Sequence, residues 1–421
     1  MIFSWEQSLS WLVLTAVLVV IVFAKKNHEV AAFSGIMLLG LIHVAPTGVV
    51  FSGFANPALF TVIFMMLISR GIVESGILTG LGKSIARKAG TPDRQVLAVG
   101  LVTGALSSFM NNVGAIGIIL PTARRMAARA GMDKGDIALP LAQASIIGGS
   151  MTLIGTASNI LVSTFRYQAF GKPFNMFDFT IHGLFIFASA LCWWIIGMRR
   201  MRAKMIPRNL EEHDEPGISE PLPRDKKKTV IVLSFFLPAI IFTAVGLVHP
   251  AIAFGWVVLG FLFTSLLEPE QIYRGVQLNI IIFIASMLGM AAILQDTGSL
   301  SAVLKYIIPV AQGLHPFLLI VAVVVITGFF ANILDNSVAV VLMAPTVIGL
   351  YRSGMLEMNP DALLMAVAAG ASLAVVLPTH QAAIVAMHEL GFSKNKFIFQ
   401  GLRIFMTAVL AASLAIYAVW T

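Results

Sequence analysis

Apolar residues in this chain gather into runs of about 17–25, the length a helix needs to cross roughly 30 Å of hydrocarbon. Continuous runs occupy 8–24, 28–51, 57–74, 179–198, 229–248, 251–267, 277–294 and 397–419. Regions 95–123, 137–165, 316–350 and 361–388 are also apolar but interrupted by polar residues, glycine or proline. Nothing alternates with period two as barrel strands must, so the predicted elements are all α-helices. The first run lacks a basic n-region and a small-residue cleavage site, which predicts a retained helix rather than a signal peptide.

Composition turns these runs into a class. Hydrophobic residues make up 58% of the 421 and charged residues 11%, against roughly 25% charged in soluble domains. A soluble protein of this size could not hide so much apolar surface; the chain is read as a polytopic integral membrane protein. Its single cysteine, Cys192, excludes an intramolecular disulfide and a cysteine-built metal site.

The net charge of +8 would suit nucleic acid, but its placement speaks for topology, and no nucleic-acid partner is expected. Let 95–123 and 316–350 enter the membrane and return on the same side while every other segment crosses. Then Lys25, Lys26, Lys83, Arg87, Lys88, Arg94, Arg124, Arg125, Arg129, Lys134, the basic residues between Arg199 and Lys228, Arg274, Lys394, Lys396 and Arg403 share one face. Arg70 lies near it, and Arg166, Lys172, Lys305 and Arg352 lie opposite. Positive residues mark the cytoplasmic side, so both termini are expected outside, in a bacterial inner (cytoplasmic) membrane. Had 95–123 crossed once, its basic flanks would straddle the membrane.

Two halves resemble each other at a shift of 222–224 residues. Glu74-Ser75-Gly76 recurs as Asp296-Thr297-Gly298, Asn111-Asn112-Val113 as Asp335-Asn336-Ser337, Pro121 as Pro345 and Thr156 as Thr379. The expected organisation is a first repeat at 1–206, a cytoplasmic linker at 207–228 and a second repeat at 229–421. The first holds scaffold helices within 8–74, a hairpin at 95–123 and a broken helix at 137–165. The second holds scaffold helices within 229–294, a hairpin at 316–350 and a broken helix at 361–388. Five crossings per half is odd, so the second copy is inverted. The predicted architecture is ten transmembrane helices plus two re-entrant hairpins, the sequence mark of a secondary transporter.

Non-helical backbone at membrane depth must line a cavity or be buried in protein. Four such stretches are predicted: a hairpin turn at Met110 to Gly114, a second at Asn332 to Ser337, and helix breaks at Gly155-Thr156-Ala157-Ser158-Asn159 and Pro378-Thr379-His380-Gln381. Each begins a half-helix whose first N–H groups favour an anion, and the carbonyls and Asn, Ser and Thr oxygens around them are hard ligands suited to Na⁺. The candidate substrate-binding residues are Asn111, Asn112, Gly114, Thr156, Asn336, Ser337, Thr379 and His380. The candidate ion-binding residues are Asn112, Gly155, Ser158, Asn159, Asp335, Asn336 and Pro378. Asp335 is the carboxylate placed deep in the membrane, and such groups are functional by default. It either coordinates Na⁺ or carries a proton, with a salt bridge to His380 as the structural alternative. His182, His249, His315 and His388 fall near segment ends and read as interfacial.

These clusters resemble the divalent anion:sodium symporter family, within a larger ion-transporter superfamily that includes citrate and arsenite carriers. That family has Ser-Asn-Thr at each hairpin tip, here Asn111-Asn112-Val113 and Asp335-Asn336-Ser337. Its Gly-Thr-Pro-Pro-Asn break is similar to Gly155-Thr156-Ala157-Ser158-Asn159. The resemblance implies a homodimer, an elevator mechanism, Na⁺ as a coupling ion without other cofactor, and substrates such as dicarboxylates, citrate or sulfate. Val113 departs from it by lacking a hydroxyl, and Asp335 by adding a charge.

Rival classes fit less well. Gly82-Lys83-Ser84 misses a phosphate-binding loop, because the upstream glycine, Gly76, is one residue out of register. An intramembrane protease needs a serine–histidine pair or two aspartates at depth, so an enzyme is not expected. A cation/proton antiporter using Asp335 on the same scaffold stays open as the alternative to an anion carrier.

Overall fold

The computed structural model describes residues 4–24, 27–77, 91–129, 133–201, 225–354 and 358–421. Lys25, Lys26, the Gly82-Lys83-Ser84 triplet, Arg87, Lys88 and residues 207–224 of the expected linker lie outside them. Every regular element among the described residues is a helix. The longer ones of the first half are α1 (Trp5–Ala24), α2 (His28–Leu41), α3 (Pro57–Glu74), α4 (Pro92–Ser107), α5 (Asn112–Arg129), α6 (Lys134–Gly148), α7 (Ala157–Phe170) and α8 (Thr180–Met201). The second half follows with α9 (Lys226–Ala244), α10 (Pro250–Phe263), α11 (Leu278–Asp296), α12 (Ser299–Gln312), α13 (Pro316–Ile333), α14 (Asn336–Arg352), α15 (Pro360–Ala371), α16 (Gln381–Leu390) and α17 (Lys394–Trp420).

Local sequence explains many of the starts. Helices α3, α10, α13 and α15 each open on a proline, whose missing N–H would be unpaired there anyway. The residue before it supplies the cap: Asn56, His249, His315 and Asn359 each accept from the backbone N–H two positions on. α1, α3, α8, α9, α11, α13 and α17 are long and apolar enough to cross a membrane. Their outward residues, such as Leu12, Phe23, Phe60, Leu184 and Phe399, remain exposed on the isolated chain, as lipid-facing positions should.

Two expected crossings are shorter than their apolar runs. The run at 28–51 stops as a helix at Leu41, and single turns at Thr47–Val50 and Ser52–Ala55 follow. His43 adopts φ 57° and Pro46 caps the next turn, so hydrophobicity continues where the backbone cannot. The run at 251–267 ends at Phe263, shortly before Ser265 turns the chain with φ 54°. Helix α12 was not foreseen; its polar positions break the apolar run that marks a crossing.

Packing crosses between the halves. α2 lies on α11 and α3 on α10, so each half's second scaffold helix seats against the third of the other. The hairpin arms α4 and α13 pack on the broken-helix arms α6 and α15 of their own halves. The returning arms pack on those same arms and also reach across the halves, α5 against α16 and α14 against α7. The closing helices α8 and α17 pack on each other and run directly over the two breaks. There Gly183 and Gly401 leave no room for a side chain: a Cβ on Gly183 would stand 2.8 Å from the Met151 Cα, and one on Gly401 would overlap the Val375 carbonyl oxygen.

Candidate functional site

Four half-helices start at one place. α5, α7, α14 and α16 all begin at the wall of a single cavity of about 500 Å³. Of the residues expected there, Asn111, Asn112, Gly155, Thr156, Asp335, Asn336, Ser337, Thr379 and His380 line it. Three starts are capped by their own side chain in the same way. Asn111 Oδ1 accepts from Val113 N at 2.7 Å, Asp335 Oδ1 from Ser337 N at 2.8 Å, and His380 Nδ1 from Ala382 N at 3.2 Å. Thr156, in extended backbone before α7, makes no capping bond with its side chain. Each cap satisfies one N–H, and the rest of each first turn keeps its partial positive charge.

The cap fixes the chemistry of His380. A ring nitrogen that accepts from a backbone N–H carries no proton, so in the neutral ring the proton sits on Nε2. That N–H stands 3.4 Å from Asn112 Nδ2, itself a donor. Both groups stand side by side on the cavity wall, where a carboxylate or sulfate oxygen in the cavity can accept from them.

Around the first break the polar groups are neutral hydroxyls, carbonyls and amides. Ser107 Oγ lies 2.5 Å from the Ser145 carbonyl and 2.9 Å from Asn112 Oδ1, while Ser145 Oγ donates to the Asn112 carbonyl at 2.7 Å. Thr152 Oγ1 donates to the Ser108 carbonyl. Asn159 Nδ2 donates to the Thr152 carbonyl at 2.9 Å and reaches those of Gly149 and Ser150 at 3.4 Å. Around the second break one side chain dominates. Asn332 Nδ2 donates to the Gly328 and Leu373 carbonyls at 2.8 and 2.9 Å, and its Oδ1 accepts from Val376 N and Leu377 N at 2.8 and 3.2 Å.

These amides place both breaks upstream of where the sequence suggested. α6 ends at Gly148 and α15 at Ala371, well before Gly155 and Pro378, because Asn159 and Asn332 satisfy backbone groups there that a continuing helix would have paired. Four expected site residues consequently stand off the cavity. Ser158 and Asn159 are buried within the first turn of α7, and Pro378 sits in the second break without lining the space. Gly114 faces α3 instead, where a Cβ would meet Ser69 Oγ at 3.4 Å. Asn332 belongs to the last turn of α13, not to the hairpin turn. His182 is a further correction: it is 1% exposed beside Phe179, not interfacial. Sequence reading also missed Ser107, Ser145 and Thr152, and the cavity residues Asn279, His28 and Glu29.

Comparison with known proteins agrees with this architecture. A family model described as citrate transporter matches residues 18–370. An uncharacterized transporter of Synechocystis is 35% identical over 162 residues, 38% of this chain and 26% of that protein. A probable sodium/sulfate cotransporter of Chlamydomonas reinhardtii is 25% identical over 140 residues, 32% of this chain and 16% of that protein. These matches span about a quarter or less of those relatives. The solved structure of the YdaH transporter of Alcanivorax borkumensis aligns with a TM-score of 0.62 at 14% identity, over 88% of this chain and 87% of that one, a likeness of fold.

Proposed function

The chain belongs to the citrate transporter family, and from that premise we propose that it is a secondary active carrier of a small anion of the dicarboxylate, citrate or sulfate class. The observation that carries this reading is the convergence of four half-helix N-termini on one cavity, an arrangement that favours negative charge without a bound metal. The His380 Nε2–H and the Asn112 amide supply directed donors, and Asn336 and Thr379 complete the wall. Na⁺ or H⁺ is the driving ion; the similarity to sodium/sulfate cotransporters favours Na⁺.

Transport then proceeds as an elevator. The hairpins and broken helices, tied together across the halves, travel as one body against α1–α3 and α9–α11, which form the stationary scaffold and the homodimer. The two halves form inverted repeats, the segment between α8 and α9 is cytoplasmic and both termini are outside. A cation/proton antiporter would depend on Asp335 alone and would leave three of the four helix starts without a ligand.

Radiotracer uptake into proteoliposomes tests the reading. Sulfate, succinate and citrate are each offered under an imposed inward Na⁺ gradient and, separately, a pH gradient. At least one anion should accumulate under one gradient and not without it. Accumulation of Na⁺ against a pH gradient, with no uptake of any anion, would replace this reading with the antiporter.

A further inference from the structure

Far from the transport cavity, one corner of the scaffold gathers basic residues from three elements. We propose that Arg70 and Arg274, flanked by Lys226, Lys227 and Lys228, bind the phosphate of an anionic phospholipid headgroup. The cytoplasmic leaflet as its source follows from the proposed orientation; the binding itself does not depend on it.

Arg70 stands one turn before the end of α3, half-buried, with its Nε enclosed and without a partner. Glu74 lies four residues on, along the same side of the helix, yet forms no ion pair with it among the described residues. Arg124, Arg166 and Arg352 show the contrast, since they hold Glu389, Asp361 and the Ala169 carbonyl. A buried donor without an acceptor is costly unless a ligand serves it. The Arg70 side chain runs along the short helix Pro269–Gly275. A Cβ on Gly275 would stand 3.5 Å from Arg70 Cδ and 3.7 Å from its Nη1. The guanidinium therefore lies against the backbone next to Arg274, which is exposed and also makes no ion pair among the described residues.

The start of α9 forms the other side of the corner. Asp225 N donates to the Ser75 carbonyl just past α3 at 3.2 Å, which brings the three lysines that open α9 alongside. The acids nearby have other roles. Asp225 caps α9 through Lys227 N and Lys228 N, and Glu268 closes a capping box with Gln271. Glu270 lies in the first turn of the short helix, whereas Arg274 lies in its last. Tyr273 and Leu278, either side of this turn, are 82% and 64% exposed, an aromatic and an aliphatic residue suited to the boundary between headgroups and acyl chains. A phosphate takes the parallel N–H groups of a guanidinium as a pair. Basic pockets between helices at this face favour anionic headgroups over zwitterionic ones.

Native mass spectrometry of the purified protein, titrated separately with phosphatidylglycerol, phosphatidylcholine and inorganic phosphate, measures the binding. Wild type should bind phosphatidylglycerol in preference to phosphatidylcholine, and inorganic phosphate at the same concentration should not displace it. Arg274→Gln should weaken phosphatidylglycerol about fivefold, and Arg70→Gln combined with it about 25-fold. Lys305→Gln, on the opposite face, should change nothing. Equal affinity for the two lipids overturns the proposal, because apolar contact alone would then explain the binding. A loss shared by Lys305→Gln overturns it in favour of diffuse charge, and inorganic phosphate that binds as tightly as the lipid overturns the lipid as ligand. Should the double variant fail to give a monodisperse protein, Arg274→Gln decides alone, and an unchanged affinity there overturns the site.

Discussion

Asp335 is a carboxylate in an apolar stretch, and the helix it begins makes that position tolerable. Its oxygen accepts from Ser337 N at the positive end of α14, as the neutral Asn111 does at the start of α5. Since an asparagine caps about as well as an aspartate, Asp335→Asn should unfold near the wild-type temperature, whereas Asp335→Ala should lose about 1 kcal/mol. Thermal unfolding in detergent would check this, and an alanine variant as stable as the asparagine one would remove the capping role. Asn332 is the stronger case. Asn332→Ala strands the Val376 and Leu377 N–H groups in the buried second break, at roughly 1–3 kcal/mol for each group left unpaired. A sharply lowered unfolding temperature is expected, and an unchanged one would mean that water or a neighbour replaces the amide. Asn112, Asn336 and Asp335 were legible in the sequence because strong polar groups stand out among leucines and valines. Ser107 and Ser145 were not, since serine and threonine in apolar helices commonly bond back to their own helix, as Thr327 does to Val323 and Ser189 to Phe185.

Charged clasps join the hairpins and broken helices across the halves. Arg166 on α7 holds Asp361 on α15 through two bonds of 2.7 Å and also donates to the Lys172 and Pro173 carbonyls. Arg124 on α5 reaches the Glu389 carbonyl at the end of α16 and pairs with its carboxylate, and Arg352 on α14 reaches the Ala169 carbonyl at the end of α7. Each returning hairpin arm thus carries, in its second half, an arginine that holds the last turn of the other half's half-helix, where carbonyls are unpaired. Breaking one member of a largely buried pair leaves its partner's charge uncompensated, so Asp361→Ala should cost about 3 kcal/mol. The double variant Asp361→Ala, Arg166→Leu should recover part of that loss. A double variant worse than the single one would show that the guanidinium acts mainly through the two loop carbonyls. At this scale the hairpins and the existence of both breaks could be read from interrupted hydrophobicity. The break boundaries could not, because Asn159 and Asn332 act on backbone several residues or a whole helix away. The end of α2 was also hidden, since apolar residues continue past it.

For the whole molecule, the basic residues foretold a re-entrant 95–123, and the chain places Arg94 at the start of α4 and Lys134 at the start of α6, with the hairpin between. In a Cys192→Ser background, single cysteines at Arg94 and Lys134 should react with an impermeant maleimide from the same, cytoplasmic side; labelling from opposite sides would contradict the inverted repeat. The seating of α2 on α11 and α3 on α10 was beyond sequence reading, because lipid-facing and protein-facing apolar positions look alike along the chain. The central claim is that the anion sits where the four half-helices begin. Val113 lines that cavity in the first turn of α5, so Val113→Cys in the Cys192→Ser background reports on occupancy directly. Its alkylation rate should fall in the presence of the transported anion, with half-maximal protection at the concentration that half-saturates uptake. A rate indifferent to the anion, in a variant that still transports it, would place the binding site elsewhere.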